Sequence, residues 1–413
     1  MHEEPARRHD VVVVGGGAAG LAAAASLLAR RPGLDIAVVE PKAVHDYQPG
    51  WTMVGAGVFE TAITQRPMSR CIPKSARWIQ EEVSAFAPQA NRVRLATGET
   101  VGYRALVAAP GLRLAWDRIP GLVEALGRNG VTSNYRADLA PYTWELTQTL
   151  GAGRAIFTQP DMPIKCAGAP QKAMYLSCDH WRRRPAAGPQ VQFHTATPVL
   201  FGVAHYVPAL MEYVARYGVD LRLQSRLTAV DGERRRAVFE VKGPDGEIQE
   251  VVQDFDMLHV CPPQEPLLTV AQGPLGGPGG WIDVDAASLQ HLRFANVFAL
   301  GDSIGTTNAK TAAAARRQAP VVAENLLAWL DGRPIRATYD GYGSCPLTVE
   351  RGKIVLAEFG YGGRLLPSFP RWMLDGDRPT RRAWWLKEKL LPFVYWNGML
   401  KGREWLARSR PAD

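Results

Sequence analysis

The chain has 413 residues and a formal net charge of +8, with 46% hydrophobic and 21% charged residues, the usage of a globular protein with room for two or three domains. No apolar run reaches the ~20 residues of a spanning helix, and the opening MHEEPARRHD lacks the apolar core of a secretory signal, so a soluble or peripheral protein is expected. Five cysteines (71, 166, 178, 261 and 345) form an odd, widely spaced set without CxxC, which argues against a disulfide scaffold and a zinc site and leaves catalysis as the work a cysteine could do here.

The first element is the strongest. Asp10 to Glu40 reads DVVVVGGGAAGLAAAASLLARRPGLDIAVVE: a buried parallel strand, three glycines, an alanine-rich helix and a second strand ending on an acid. Gly15, Gly17 and Gly20 stand at GxGxxG spacing, with Gly16 between the first two. Such glycines permit a tight turn, backbone approach to a pyrophosphate and close packing of helix on strand. The helix N-terminus then presents unpaired N–H groups to phosphate. Glu40 ends the second strand, where a carboxylate accepts from ribose hydroxyls.

An irregular aromatic segment, PKAVHDYQPGWTMVGAG, follows. Residues 78–86 read as one strand, 91–103 as a hairpin turning at Thr97, Gly98 and Glu99, and 105–111 as a buried strand ending in a small-residue turn. A second α/β unit runs from about 114 to 255, with strands near 155–158, 191–195 and 219–223. Residues 227–260 alternate as a β-meander with a Pro-Asp-Gly turn at 244–246. After its first strand this unit reads RAIFTQPDMPIKCAG, with no glycine fingerprint. A nicotinamide site is therefore disfavoured.

Residues 296–330 give a strand ending at Gly301 and Asp302, then a long helix opening near Lys310 and Thr311, in which Pro320 should produce a kink or a break. The helix end suits the electron-rich edge of a reduced flavin. From 364 to 413 there are eleven Lys and Arg against five Asp and Glu, and five of the twelve tryptophans. RRAWWLKEKLLPFVYWNGMLKGREWLARSR fits amphipathic helices in a membrane interface, in two pieces separated at Pro392. Contact between copies of the chain, a homo-oligomer, is the alternative use of such a surface. Nothing points to nucleic acid.

These segments together resemble the sulfide:quinone oxidoreductases, in the branch that includes the mitochondrial enzymes. The matching stretches are GGGAAG (15–20), VVEP (38–41), YQPGWTMVGAG (47–57), PIKCAGAPQKAMYLS (163–177), FGVAHY (201–206), MLHVCPP (257–263), GWIDVD (280–285), NVFALGD (296–302), KTAAA (310–314), YDGYGSCPL (339–347) and LPFVYWNGML (391–400). CAGAPQK and DGYGSCPL are the specific ones. Pro141 stands where some relatives carry a glutamate.

The resemblance implies an α/β fold of two Rossmann-like dinucleotide-binding domains, of the flavoprotein disulfide reductase type, plus C-terminal amphipathic membrane-associating helices. The domains expected are 1–113 with 256–330 for FAD, 114–255 carrying Cys166, and 331–413 with Cys345 and the membrane and quinone-binding helices. It implies FAD held by Gly15, Gly16, Gly17, Gly20 and Glu40, with Gln48, the backbone of Val83, Gly301, Asp302 and Lys310 completing the shell. Phe393, Tyr395 and Trp396 are the quinone-binding candidates. The partners implied are hydrogen sulfide, quinone, a small sulfur acceptor (a thiol, sulfite or polysulfide) and a membrane surface.

It further implies that Cys166 and Cys345 are the redox pair. Attack of HS⁻ leaves a persulfide on Cys345 and a thiolate at Cys166, beside flavin C4a. Lys172, six residues on, is the candidate for favouring that thiolate, against the alternative of a solvated surface lysine. Both cysteines lie in Gly- and Pro-rich loops, whereas Cys71, Cys178 and Cys261 read as buried small residues. The histidines show no metal spacing. An NADH:quinone oxidoreductase of type II character is the second reading, and a flavin-binding electron carrier or sensor the third.

Overall fold

The computed structural model describes residues 7–408 and the backbone of 410–411; residues 1–6, part of the stretch read for a secretory signal, lie outside it, as do 409, 412 and 413 of the C-terminal region. The valine run forms the strand Arg7–Val14, which pairs in parallel with Ile36–Val39 on one side and Thr100–Ala108 on the other. Arg77–Ile79 and Val297–Ala299 extend the parallel set. Val11, Val12 and Val13 are fully buried, as a run of consecutive apolar residues requires. The helix Ala18–Arg30 packs along Ala312–Leu330, the long helix that returns after residue 301.

The stretch 78–86 is not one strand. Arg77–Ile79 joins the parallel edge, and after three polar residues Val83–Ala87 turns antiparallel onto Arg92–Leu95. Gln80, Glu81 and Glu82 suit a solvated bend better than a buried edge.

The second unit is a five-stranded parallel sheet in the order Val131–Thr132, Met257–His259, Arg154–Gln159, Gln190–Thr195, Asp220–Arg222. The domain boundary at 255/256 is therefore misplaced: Met257–His259 pairs with both Val131–Thr132 and Arg154–Gln159 inside this sheet. The chain changes units at an antiparallel ribbon, Leu112–Leu114 against Gln264–Pro266. The meander is present as Ser225–Asp231, Arg236–Lys242 and Ile248–Asp254.

Neither proline breaks its helix. Ala312–Leu330 continues through Pro320 without a break, its start capped by Thr311 Oγ1 accepting from Ala314 N–H at 3.1 Å. Pro392 does not separate two helices either. Arg381–Trp385 runs into a π-turn, Leu386–Leu390, and on into Leu391–Asn397. The Leu391 N–H bonds back to Leu386 O, a wider ring that re-pairs the ladder where proline cannot donate. Among the described residues no helix is long and apolar enough to cross a membrane.

Candidate active site

The glycine turn forms because Gly15 has φ +100, and any Cβ there would lie 2.2 Å from Ala109 O. Its N–H is held by Val39 O at 2.9 Å. Gly20 lies so close beneath the turn that a Cβ would come within 1.9 Å of Gly15 O. Above Gly17, by contrast, nothing lies within 4 Å of an added Cβ. Open space there, with the first N–H groups of Ala18–Arg30 directed out of the helix end, fits a pyrophosphate. Glu40 is buried, and its carboxylate accepts from Gly16 N–H at 2.7 Å and Lys42 N–H at 2.8 Å. Each oxygen retains a lone pair for a ribose hydroxyl. Val83 opens the edge hairpin with its side chain in the core.

The loop at 301 reaches the same place from the other side. Gly301 (φ +78) would put a Cβ 2.6 Å from Ala19 Cβ, so it sits directly on the start of the first helix. Burial raises the Asp302 carboxyl, with Lys165 and Lys310 opposing that rise. The Lys310 ammonium donates to the Asp302 and Ile304 carbonyls, both at 2.8 Å, and lies 4.0 Å from the Trp281 ring centroid. It thus shapes the loop rather than standing free. Burial lowers it to about 8.

Lys310 also carries the cysteine loop, since its backbone O accepts from Cys166 N–H at 2.8 Å. Cys166 is left-handed (φ +50), a conformation of limited stability for a non-glycine residue that surrounding bonds must impose. Ala169 N–H donates to its carbonyl at 2.7 Å, and Tyr135 OH bridges the carbonyls of Lys165 (3.2 Å) and Cys166 (3.4 Å). The helix Ala169–Arg182 then starts, and in its first turn Lys172 Nζ reaches Cys166 Sγ at 3.1 Å. Lys172 is 3% exposed, which rules out the solvated lysine.

Cys345 arrives on the hairpin Gly343–Glu350 and Lys353–Phe359. The hairpin can come this close because Gly168 has no side chain: a Cβ there would lie 2.3 Å from Leu347 Cδ2. Both cysteines are free, and Cys345 lies close enough to Cys166 for its thiol to favour a thiolate there by hydrogen bonding. That bond, together with the Lys172 ammonium and against burial, holds Cys166 well below the ordinary thiol value. The same bond and burial push Cys345 well above it. Lys172 is itself raised, because the two sulfurs outweigh its desolvation. The pair is thus split into a thiolate and a thiol.

Sequence reasoning missed a second lysine. Lys387, in the π-turn, is 4% exposed, donates to Pro49 O at 3.3 Å and lies near both sulfurs and Lys172. Burial first, then Lys172, lower it to about 7. Its signal was positional, for 384, 387 and 391 share one helix face, but charge made it read as solvated. Gln48 does meet the site, accepting from Lys165 Nζ.

The quinone candidates are scattered. Tyr395 and Trp396, each 4% exposed, are core residues of the first unit and not surface aromatics. Tyr395 OH donates to His45 Nε2 at 2.7 Å while His45 Nδ1–H donates to Gly16 O at 2.9 Å, and Arg66 lies 4.2 Å from the Trp396 ring centroid. Phe393 is 53% exposed, stacked on Trp405. Cys71 and Cys178 are buried and raised by burial, and Cys261, buried beside Tyr135, is pushed up to about 12. Among the described residues no cluster of His, Cys, Asp or Glu could hold a metal ion.

A dinucleotide cradle joined through the 301 loop to a charge-split cysteine pair defines a flavoprotein of the disulfide-reductase class. Consistent with it, the Pyridine nucleotide-disulphide oxidoreductase family profile matches residues 9–146. The chain is 40% identical over 379 residues to the mitochondrial sulfide:quinone oxidoreductase of Dictyostelium discoideum, covering 91% of this chain and 82% of that one. It is 37% identical over 380 residues to the Mus musculus protein of the same name, covering 91% and 83%. The crystal structure of sulfide:quinone oxidoreductase from Aquifex aeolicus shares the fold, with TM-score 0.76 at 19% identity over 95% of this chain and 92% of that one. The chain belongs to the sulfide:quinone oxidoreductase family.

Proposed function

We propose that the protein oxidises hydrogen sulfide at Cys166 and Cys345 and passes the electron pair through FAD to quinone. The observation that carries this reading is the Cys166–Cys345–Lys172 cluster, connected to the cradle through Ala19, Gly301, Asp302 and Lys310. FAD, when bound, supplies a two-electron acceptor beside the sulfurs. The open space over Gly17, the free lone pairs of Glu40 and the half-buried Asp302 suit its phosphates and hydroxyls.

The charge split gives the sulfur chemistry a direction. When the two cysteines are joined as a disulfide, HS⁻ can attack either sulfur, and exchange is faster when the departing thiol has the lower pKa. Cys166 is the lower. Attack therefore falls on Cys345: a new S–S bond forms there, the Cys345–Cys166 bond breaks, and its electron pair leaves as the Cys166 thiolate, which Lys172 receives. A small thiol, sulfite or polysulfide then takes the sulfane sulfur from Cys345.

For quinone we place the protein on a membrane surface by the helix at 381–397. Its outer face shows Trp385 (58% exposed), Lys389 and Phe393 four residues apart, beside exposed Trp372, Trp405 and Leu406. Aromatic rings among basic side chains suit an anionic interface.

Anaerobic addition of sulfide should bleach the flavin absorbance, and Cys345→Ser should abolish the bleaching. Bleaching that survives this substitution, or that only NADH produces, would overturn the reading. In place of a nicotinamide fingerprint, the turn from Arg154–Gln159 to Ala169–Arg182 carries the Cys166 loop.

A further inference from the structure

Three lysines near the flavin side of the site have evident work. Lys172 and Lys387 attend the sulfurs, and Lys310 is tied to the 301 loop. The fourth, Lys165, does not. Its backbone is fixed on both sides, its N–H donating to Gln264 Oε1 at 2.7 Å and its carbonyl accepting from Tyr135 OH at 3.2 Å. Its ammonium donates to Gln48 Oε1 and stands 5.3 Å from the Trp51 ring centroid and 5.8 Å from that of Tyr135.

The acid that acts on it most is Asp302, and the influence is mutual, yet no ion pair joins the two side chains. Opposite charges in a shared low-dielectric region attract strongly enough to close unless their anchors hold them apart. Here the anchors do. Lys165 is pinned by Gln264, Tyr135 and Gln48, and the Asp302 backbone by Lys310. Lys165 thus brings together the segment at 47–51, through Gln48 and Trp51, and the Cys166 loop, and it acts on Asp302 of the 301 loop. A planar, electron-accepting ring lying among these three segments is the ligand that this arrangement suits.

We propose that Lys165 is the cation of the flavin slot, touching the isoalloxazine and holding the negative charge that reduction brings. The inference rests on the FAD reading above. FAD, when bound, would accept two electrons with one or two protons, and a cation beside the ring would favour the form that takes up one and carries a net negative charge. A half-buried ammonium anchored by Gln48 and flanked by the Trp51 and Tyr135 rings would favour that charge over the neutral oxidised form. Lys172 cannot substitute, because its charge is balanced by the Cys166 thiolate 3.1 Å away.

The test is the two-electron midpoint potential of the FAD-replete holoenzyme, read by equilibration with a reference dye and a reductant that bypasses the cysteines. Lys165→Met should shift the oxidised/reduced equilibrium at least tenfold towards oxidised, which is about 30 mV for a two-electron couple. Lys165→Arg should restore most of the shift. The pH profile of Cys166 alkylation is measured alongside and should move by less than it does in Lys172→Met, since Lys172 touches the sulfur whereas Lys165 acts on it from a distance. Should Lys165→Met lose its flavin on purification, Lys165→Gln replaces it. A wild-type potential in a folded, flavin-replete Met or Gln variant overturns the proposal, as does a shifted Cys166 profile with an unshifted potential. In either case sulfide still bleaches the wild-type flavin and the function stands. A wild-type protein that sulfide cannot bleach sinks the function, and the proposal with it.

Discussion

Lys172→Met removes the cation 3.1 Å from Cys166 Sγ while keeping most of the buried stem. Two unit charges at that separation attract by about 5 kcal/mol at an effective dielectric of 20. This is an upper bound, because Lys387 remains and the methionine pocket can admit water. The ~1.5–3 kcal/mol found for hydrogen bonds to charged groups is the closer guide. At 1.36 kcal/mol per pK unit it becomes a rise of about 1–2 units in the Cys166 pKa. The sign follows from the native state, in which the Lys172 ammonium helps hold Cys166 well below the ordinary thiol value. The assay is the rate of Cys166 alkylation against pH in a Cys345→Ala background, which removes the coupled partner and leaves a single titration. Loss of the Cys345 hydrogen bond raises the starting value, which brings the transition into a convenient range. The midpoint should move up by about 1–2 units, and sulfide-driven flavin reduction at neutral pH should slow in proportion to the lost thiolate. An unmoved midpoint in a folded, flavin-replete variant would refute the assignment of Lys172.

Lys387 is lowered to about 7 by burial and Lys172, so above that pH the unfolded chain binds a proton that the native state does not. Stability should therefore rise with pH between about 7 and 10 by up to about 1.4 kcal/mol per pH unit from this group. Urea midpoints of wild type minus Lys387→Met should show that slope, and a flat difference would contradict it. Gly301→Ala combines positive φ with a 2.6 Å clash against Ala19. It should cost at least ~1 kcal/mol and release FAD on gel filtration; retention at wild-type level would mean the loop can retreat without loss. Trp385→Ser with Lys389→Glu changes two exposed side chains, so thermal stability should stay within about 0.5 kcal/mol while flotation with anionic vesicles drops. Undiminished flotation would remove the helix from the membrane contact.

Local signals in the sequence were enough for the cradle. Hydrophobic continuity at 11–14, glycine spacing and the acid at 40 each act within a few residues, and the fold uses them as local rules predict. The cysteine pair was legible only through resemblance, because 166 and 345 meet through a helix, a hairpin and the missing side chain of Gly168, none of which spacing encodes. Boundaries failed where one apolar strand could serve either sheet. Met257–His259 looks the same whether it ends one unit or begins the next, and only its parallel partners decide. The prolines failed for a different reason. Local stereochemistry forbids one hydrogen bond, but the packing of a buried helix at Pro320 and a wider turn before Pro392 outweigh that loss.

The C-terminal helix shows why composition misled most where it was richest. Its aromatic and basic residues look like one amphipathic population, yet the inner face puts Lys387 at the sulfurs and Tyr395 on His45 beneath the glycine turn, while only Trp385, Lys389 and Phe393 face out. The lysine on the buried side is also the telling one. Two ammonium groups near one thiolate are an excess of positive charge, which is part of what lowers Lys387. Attack of HS⁻ on the disulfide leaves the Cys166 thiolate beside a Cys345 persulfide, and the Coulomb influence of both sulfurs acts to raise Lys387 against its burial. A site with one permanent and one titrating lysine can thus hold the released thiolate and still accommodate a second negative charge on the persulfide.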